Sequence, residues 1–343
     1  MKKMKKILLF SLIIVVMFSL SGCLLLKNNT SDNKDYYVIN NHKGNYLWSG
    51  AMNLAWNDLN QNILGEKLKL KTNDKEALNT TEKFNNSTFT KKDLNKDSYY
   101  IKSGYGQNTV KKINKEMKEK FPNDNFGHLD KNLNPKEIVA YAYFAKEVEY
   151  PTEFSKKNCR FKKEEVKGFY AKNHEQRENI NILKYWNDDN FIIGLKLKNK
   201  EDELFLAKGF NMDDPQGVVT EINKHNNNSN DMGEEDKFEM PELHLDYKKE
   251  YKNITGEQLA NEGFEEYYIS DMREKVEFNM DNKGAKVKSL GFIGGSYGAT
   301  KEKANPKLLI LNKPFWVVMK MKKSDNPYFI LGVNNTNIMN KTK

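Results

Sequence analysis

Two cysteines in 343 residues, Cys23 and Cys159, leave room for at most one disulfide. Five scattered histidines, with no i, i+4 pair and no C-x-x-C partner, offer no metal site. Neither a P-loop nor a dinucleotide fingerprint occurs, and no internal repeat, so no cofactor is expected. Blocks of like charge are missing as well. The 56 lysines and arginines are interspersed with 47 acidic residues, and a net charge of +9 reads as a solvated surface, not a nucleic-acid footprint.

What the chain does have begins at its N-terminus. Lys2, Lys3, Lys5 and Lys6 precede an apolar run over residues 7–20, the charged and apolar regions of a secretory signal. The run is too short for a confident spanning helix. It ends in Leu20-Ser21-Gly22-Cys23, which resembles the lipobox of bacterial lipoproteins, with small residues ahead of the cysteine that receives lipid. The expected organisation is a signal peptide over 1–22, a lipidated tether over 23–44, and one domain over 45–343. The mature protein would sit on the cell membrane through a lipid on Cys23, facing outside the cytoplasm. Loss of residues 1–22 removes four lysines and lowers the net charge to +5. With Cys23 acylated, Cys159 has no intramolecular partner, and the fold must stand on its core.

Trp48, Met52, Ala55, Trp56, Leu59 and Ile63 recur at steps of three and four, predicting a largely buried helix. Residues 72–98 are polar and weakly periodic, suiting short helices or long loops. Val110, Ile113, Met117 and Phe121 predict an amphipathic helix stopped by Pro122. Strands follow. Residues 138–144 form a continuous apolar run suited to the middle of a sheet. Residues 182–186 and 191–197 flank Asn187-Asp188-Asp189-Asn190 as a hairpin. A short helix over 216–224 and an Asn-rich loop over 225–230 lead to an alternating strand at Val276, Phe278 and Met280, ending in the turn Asn282-Lys283-Gly284. Residues 308–321 and 328–333 flank Ser324-Asp325-Asn326-Pro327 as a closing hairpin. Helices first and strands later give a single α+β domain.

Chemistry-bearing motifs are few. Gly294-Gly295-Ser296-Tyr297-Gly298 matches the G-x-S-x-G elbow of α/β-hydrolases, which needs an acid and then a histidine downstream. His244 is the last histidine and lies upstream, and Pro306 would break the helix that should follow the elbow. A mobile Gly-rich loop accounts for the match better. Cys159 and His174 could form a thiol–imidazole pair, but their spacing does not argue for it. The chain does not read as an enzyme.

From Glu274 onward the order of elements resembles that of the serpins. Residues 274–284 are similar to the strand leading to that family's hinge. Asn312-Lys313-Pro314-Phe315-Trp316-Val317-Val318 resembles the strand after its reactive loop, and Tyr328-Phe329-Ile330-Leu331-Gly332-Val333-Asn334 its closing strand. Upstream, residues 140–144 with Pro151 and Phe154, residues 166–170, Met240-Pro241 with Leu243 and Leu245, Leu259 with Gly263, and residues 45–56 fall in matching order. The resemblance implies a serpin-like single domain with a large mixed and antiparallel central sheet, helices packed on it and an exposed reactive-centre-type loop. It further implies a protease inhibitor, expected to be a monomer, whose partner is a target serine or cysteine protease. That protease would cut within Tyr297, Gly298, Ala299, Thr300 and Lys301, and the loop would then insert as a strand.

In such a strand Ala285, Val287, Ser289, Gly291 and Ile293, counted from the hinge residue Gly284, share one face. Lys286, Lys288, Leu290 and Phe292 share the other. Small or apolar residues inside and lysines outside permit insertion. Departures fall on the hinge: Asn282 stands where inhibitory serpins have glutamate, Ala285 where they have threonine or serine, and Val287-Lys288-Ser289-Leu290 where they run to alanine. Glu274 replaces a histidine, and Val148 a tryptophan. A non-inhibitory surface lipoprotein that binds a host or envelope partner is the alternative.

Overall fold

Residues 37–122, 129–146, 148–285 and 305–342 are described by the computed structural model. Structure begins ahead of Asn45. Strand β1 (Asn40–His42) pairs antiparallel with β2 (Asn45–Ser49) around Lys43-Gly44, whose φ values of +53° and +84° suit a tight hairpin turn. Trp48, expected on a helix, lies on β2. The helix α1 (Gly50–Asp58) starts at the next turn because Ser49 caps it, its hydroxyl accepting from the amide of Ala51 at 3.4 Å. Residues Leu59–Leu64 widen into a π-helix that ends at Gly65.

The polar stretch 72–98 contains a helix, α2 (Lys75–Asn86), capped by Asp74, whose carboxylate accepts from the amide of Ala77 at 2.8 Å. Its buried face is Ala77, Thr80, Thr81 and Phe84, too small and polar to register as apolar periodicity. Next come β3 (Tyr99–Tyr105) and α3 (Gly106–Lys120), the amphipathic helix expected before Pro122. Then follow β4 (Glu137–Ala145), β5 (Val148–Glu149), β6 (Ser155–Phe161), β7 (Glu164–Tyr170) and the single turn α4 (His174–Arg177). The hairpin expected at 187–190 joins β8 (Ile180–Asn187) to β9 (Asn190–Leu195). Beyond it lie β10 (Asp202–Lys208), α5 (Pro215–His225), β11 (Asn230–Asp231), β12 (Lys237–Pro241) and β13 (Leu243–Glu250). The last elements are β14 (Tyr268–Met280), β15 (Gly284–Ala285), β16 (Leu308–Ile310), β17 (Phe315–Met321) and β18 (Pro327–Val333). The run 308–321 is thus two strands, interrupted before Pro314 because they serve different sheets.

The largest sheet has eight strands in the order β1-β2-β18-β17-β10-β9-β8-β11. Two four-stranded sheets run β16-β12-β7-β6 and β13-β14-β4-β3, and β15 pairs β5. The continuous apolar run of β4 is buried on both faces, as its composition predicts. Ile138, Ala140, Ala142 and Phe144 join the main core, where Phe144 stacks on Phe329 with ring centroids 5.9 Å apart. Val139, Tyr141 and Tyr143 lie in a second cluster with Val110, Ile113 and Met117 of α3. Burying each such large side chain stabilises the fold by roughly 1.5–3 kcal/mol, so β4 is fixed from both sides.

Candidate functional site

Strands β14 and β4 run parallel from Tyr268↔Glu137 to Glu277↔Ala145, with a bulge between Ile269 and Asp271. Their outer neighbours are antiparallel, β13 to β14 and β3 to β4. An antiparallel sheet therefore carries a single parallel seam at its centre. Parallel pairing is slightly less stable per residue, and a strand running antiparallel to both neighbours would make the sheet antiparallel throughout.

At the end of β14 the chain makes a tight turn. The amide of Asp281 donates to the carbonyl of Gly284 at 2.7 Å, and Lys283 donates to the Asp281 carboxylate at 2.8 Å. Gly284 has φ +143°, a conformation that side chains with a Cβ rarely adopt. The turn is stapled to the segment after β5. Tyr150 donates to the carbonyl of Lys283 at 3.0 Å, Phe154 donates to the carbonyl of Asn282 at 2.8 Å, and the Asn282 amide donates back to Phe154 at 3.2 Å. A glutamate at 282 could not make the last of these bonds. Of the predicted hinge residues, Gly284 and Ala285 form β15, paired with Glu149 and Val148 of β5. Val287, Ser289 and Gly291, the window 297–301, the elbow motif at 294–298 and Cys23 lie outside the described residues.

Beside the seam, on the core side of β14, lies Glu274, only 3% exposed. It accepts hydrogen bonds from the Ser49 hydroxyl and, at 3.0 Å, from the Tyr251 hydroxyl, which itself accepts from Asn40 at 3.4 Å. Burial outweighs these bonds and pushes its carboxyl up to about 7. Its seam partner is Ala142. Past the end of β4, Lys146 and Asp202 form a buried ion pair at 2.6 Å, their side chains 6% and 1% exposed. Asp202 also accepts from the Tyr328 hydroxyl at 2.9 Å and from Asn199 at 2.6 Å.

Sequence reasoning treated Glu274 only as a departure and did not single out Lys146 or Asp202. A lysine directly after an apolar strand is the one signal the second cluster gave. Cys159 and His174 have separate partners. The thiol contacts the carbonyl of Met240 at 3.6 Å and burial pushes it up to about 11, so it is protonated at neutral pH. His174 is exposed and faces Glu178 at 3.4 Å. No cluster of metal-ligating side chains occurs among the described residues.

No protein-family model and no curated protein matches the sequence. The structure is similar to that of Serpin48, described as a highly specific serpin of the insect Tenebrio molitor, at 14% identity. The match has a TM-score of 0.52 and covers 86% of this chain and 93% of that one. It is also similar to the mouse protein-Z dependent protease inhibitor, at 14% identity and a TM-score of 0.53, over 86% of this chain and 91% of the other.

Proposed function

We propose that this chain, whose fold is that of the serpins, inhibits a protease by taking its own cut loop into the seam between β4 and β14. The observation that carries this reading is the direct parallel pairing of those strands, which leaves an antiparallel sheet one strand short at its centre. The target's serine or cysteine would attack a carbonyl within residues 297–301. The peptide C–N bond breaks, the new amine departs with the C-terminal segment, and the N-terminal segment stays esterified to the protease. Insertion then carries the acyl-enzyme away before water can release it. From Ala285 to Tyr297 an inserted strand would span roughly 40 Å.

The turn supports a definite register. Asp281 is bridged to Gly284, and continuing that antiparallel ladder sets Ala285 opposite Met280, Val287 opposite Phe278, Ser289 opposite Val276 and Gly291 opposite Glu274. All four β14 residues are buried. On the outer face Lys288 falls opposite Glu277 and Lys286 opposite Asn279. Small residues meet the core and a lysine meets a carboxylate. A lipid on Cys23 would display the inhibitor at the outer side of the cell membrane.

One observation favours a second reading, a non-inhibitory surface lipoprotein that binds a host or envelope partner. Phe154 is bonded to both the carbonyl and the side-chain amide of Asn282, so the turn ahead of the hinge is tied to a residue outside the seam. A chain starting at Leu24, treated with a panel of serine and cysteine proteases, decides between them. A covalent adduct on denaturing gels, with cleaved molecules melting far above intact ones, is the expected result. Cleavage with stabilisation but no adduct keeps insertion and removes inhibition. Ser289→Glu should block insertion by putting a charge against the core, while leaving a binding surface elsewhere intact.

A further inference from the structure

The carboxyl of Glu274 is the point at which β14 is tied to the layer beneath it. Ser49, which bonds it, ends β2 and caps α1, and it stands opposite Phe329 of β18 in the eight-stranded sheet. Tyr251, its other partner, follows β13 and is held by Asn40 of β1. One side chain therefore joins the seam to β2, α1 and β1. The groups facing it from each side are few. From β13 come Tyr247 and the cross-strand neighbour Lys249, which lies over the Tyr251 ring at 5.6 Å. His42 of β1 faces the Tyr247 ring at 5.0 Å. From the end of β2 comes Ser49 and from β4 Ala142, neither of them charged. Among the described residues no ion pair reaches Glu274.

We propose that Glu274 is a proton-operated fastener of the β4–β14 seam, closed when its carboxyl is neutral and loosened when it ionises. A neutral carboxyl keeps both bonds, with one hydroxyl turned from donor to acceptor. An ionised one is a buried charge with two neutral donors and no cation within ion-pair distance among the described residues, Lys249 acting on it only from further off, which favours any opening that admits water. Burial already holds the proton on the group up to about pH 7. Opening would return it to ordinary carboxylic acidity, so the seam should open more readily as pH rises through neutrality. This regulation rests on reading the seam as the place of strand insertion: a displayed inhibitor would keep its sheet shut in acid and become ready to insert at neutral and alkaline pH.

The test is hydrogen exchange of the intact, uncleaved chain between pH 5 and pH 8, corrected for intrinsic exchange and resolved to the amides of β4 and β14. Protection there should fall by some tens of fold, up to about a hundredfold, across that range. Amides of β17 and β18 should change little. Glu274→Gln should abolish the pH dependence. Should that variant not fold, Tyr251→Phe serves instead: it removes a donor to the carboxylate and should move the midpoint of the protection change to higher pH. Protection independent of pH, a pH dependence that survives in Glu274→Gln, or a midpoint unmoved in Tyr251→Phe would each overturn the proposal. Exchange needs no protease, so a missing covalent adduct would defeat the inhibitory reading while leaving this result to stand or fall alone.

Discussion

Replacing Lys146 with methionine should destabilise the protein far more than a surface lysine substitution would. The ammonium lies 2.6 Å from the Asp202 carboxylate, and both side chains are nearly inaccessible to water. At that separation and an effective dielectric constant near 20, the Coulomb attraction is about 6 kcal/mol before desolvation is subtracted. Methionine keeps most of the packing against Tyr328, whose ring centroid is 5.7 Å from the ammonium. It leaves the Asp202 carboxylate buried and held, among the described residues, by the Tyr328 hydroxyl and Asn199 without its cation. Removing one partner of such a pair costs about 3–5 kcal/mol. In a chain of this size that lowers the melting temperature by roughly 5–8 °C. Urea unfolding at pH 7 measures the loss, provided the slope is unchanged. The double variant Lys146→Met, Asp202→Asn should recover about half or more, since the stranded charge is gone. A single-variant cost under about 1 kcal/mol, or strict additivity in the double variant, would refute the argument.

Glu274 should make stability fall as pH rises. Its folded-state value, about 7, lies above its ordinary one, so its contribution is full below about pH 4.5 and lost through pH 7. The loss is about 3 kcal/mol, read as the difference between the urea stabilities of the wild-type chain and Glu274→Gln across that range. Taking the difference cancels the opposite slopes of Glu137, Asp188 and Asp189, whose hydrogen bonds hold them below the usual carboxylate range. Asn282→Asp should cost about 1–3 kcal/mol, because it removes the donor to the buried carbonyl of Phe154; thermal melts measure it. Cys159 should resist thiol reagents in the native state and react only on unfolding, as timed labelling in rising urea would reveal.

Elements whose burial is apolar and periodic were legible in the sequence. β4, α3 and the hairpins at 187–190 and 324–327 were each marked by a run of one period and a turn cluster. Where burial is built from small or polar side chains the signal fades, as in α2, whose inner face carries two threonines. Trp48 misled because a strand entering a capped helix keeps apolar residues at helical spacing across the junction. The hinge was visible as an alternating strand followed by Asn-Lys-Gly. Its bonds to residues 150–154 were not, because they are made largely by backbone groups some 130 positions away in sequence. Glu274 and Asp202 illustrate the same limit. A lone acidic residue carries no mark of burial until the fold brings Ser49, Tyr251 or Lys146 to it.

Two sets of contacts oppose each other at the seam. Insertion would complete the hydrogen bonding of β4 and β14 with an antiparallel strand and bury Val287 and its neighbours. Holding it back are the two bonds between Phe154 and Asn282, whereas the pairing of β15 with β5 already has the register an inserted strand would keep along β4. Each such bond is worth about 0.5–1.5 kcal/mol net, so releasing both in the transition state would slow insertion by roughly five- to a hundredfold. Inhibition by acyl-enzyme capture is a race against hydrolysis, and it is decided by rate. The equilibrium gain can therefore be large while the outcome still turns on these few bonds. On the inhibitory reading, that places the choice between inhibitor and non-inhibitory surface protein in Asn282 and Phe154, with the cut site itself setting only which protease enters the race.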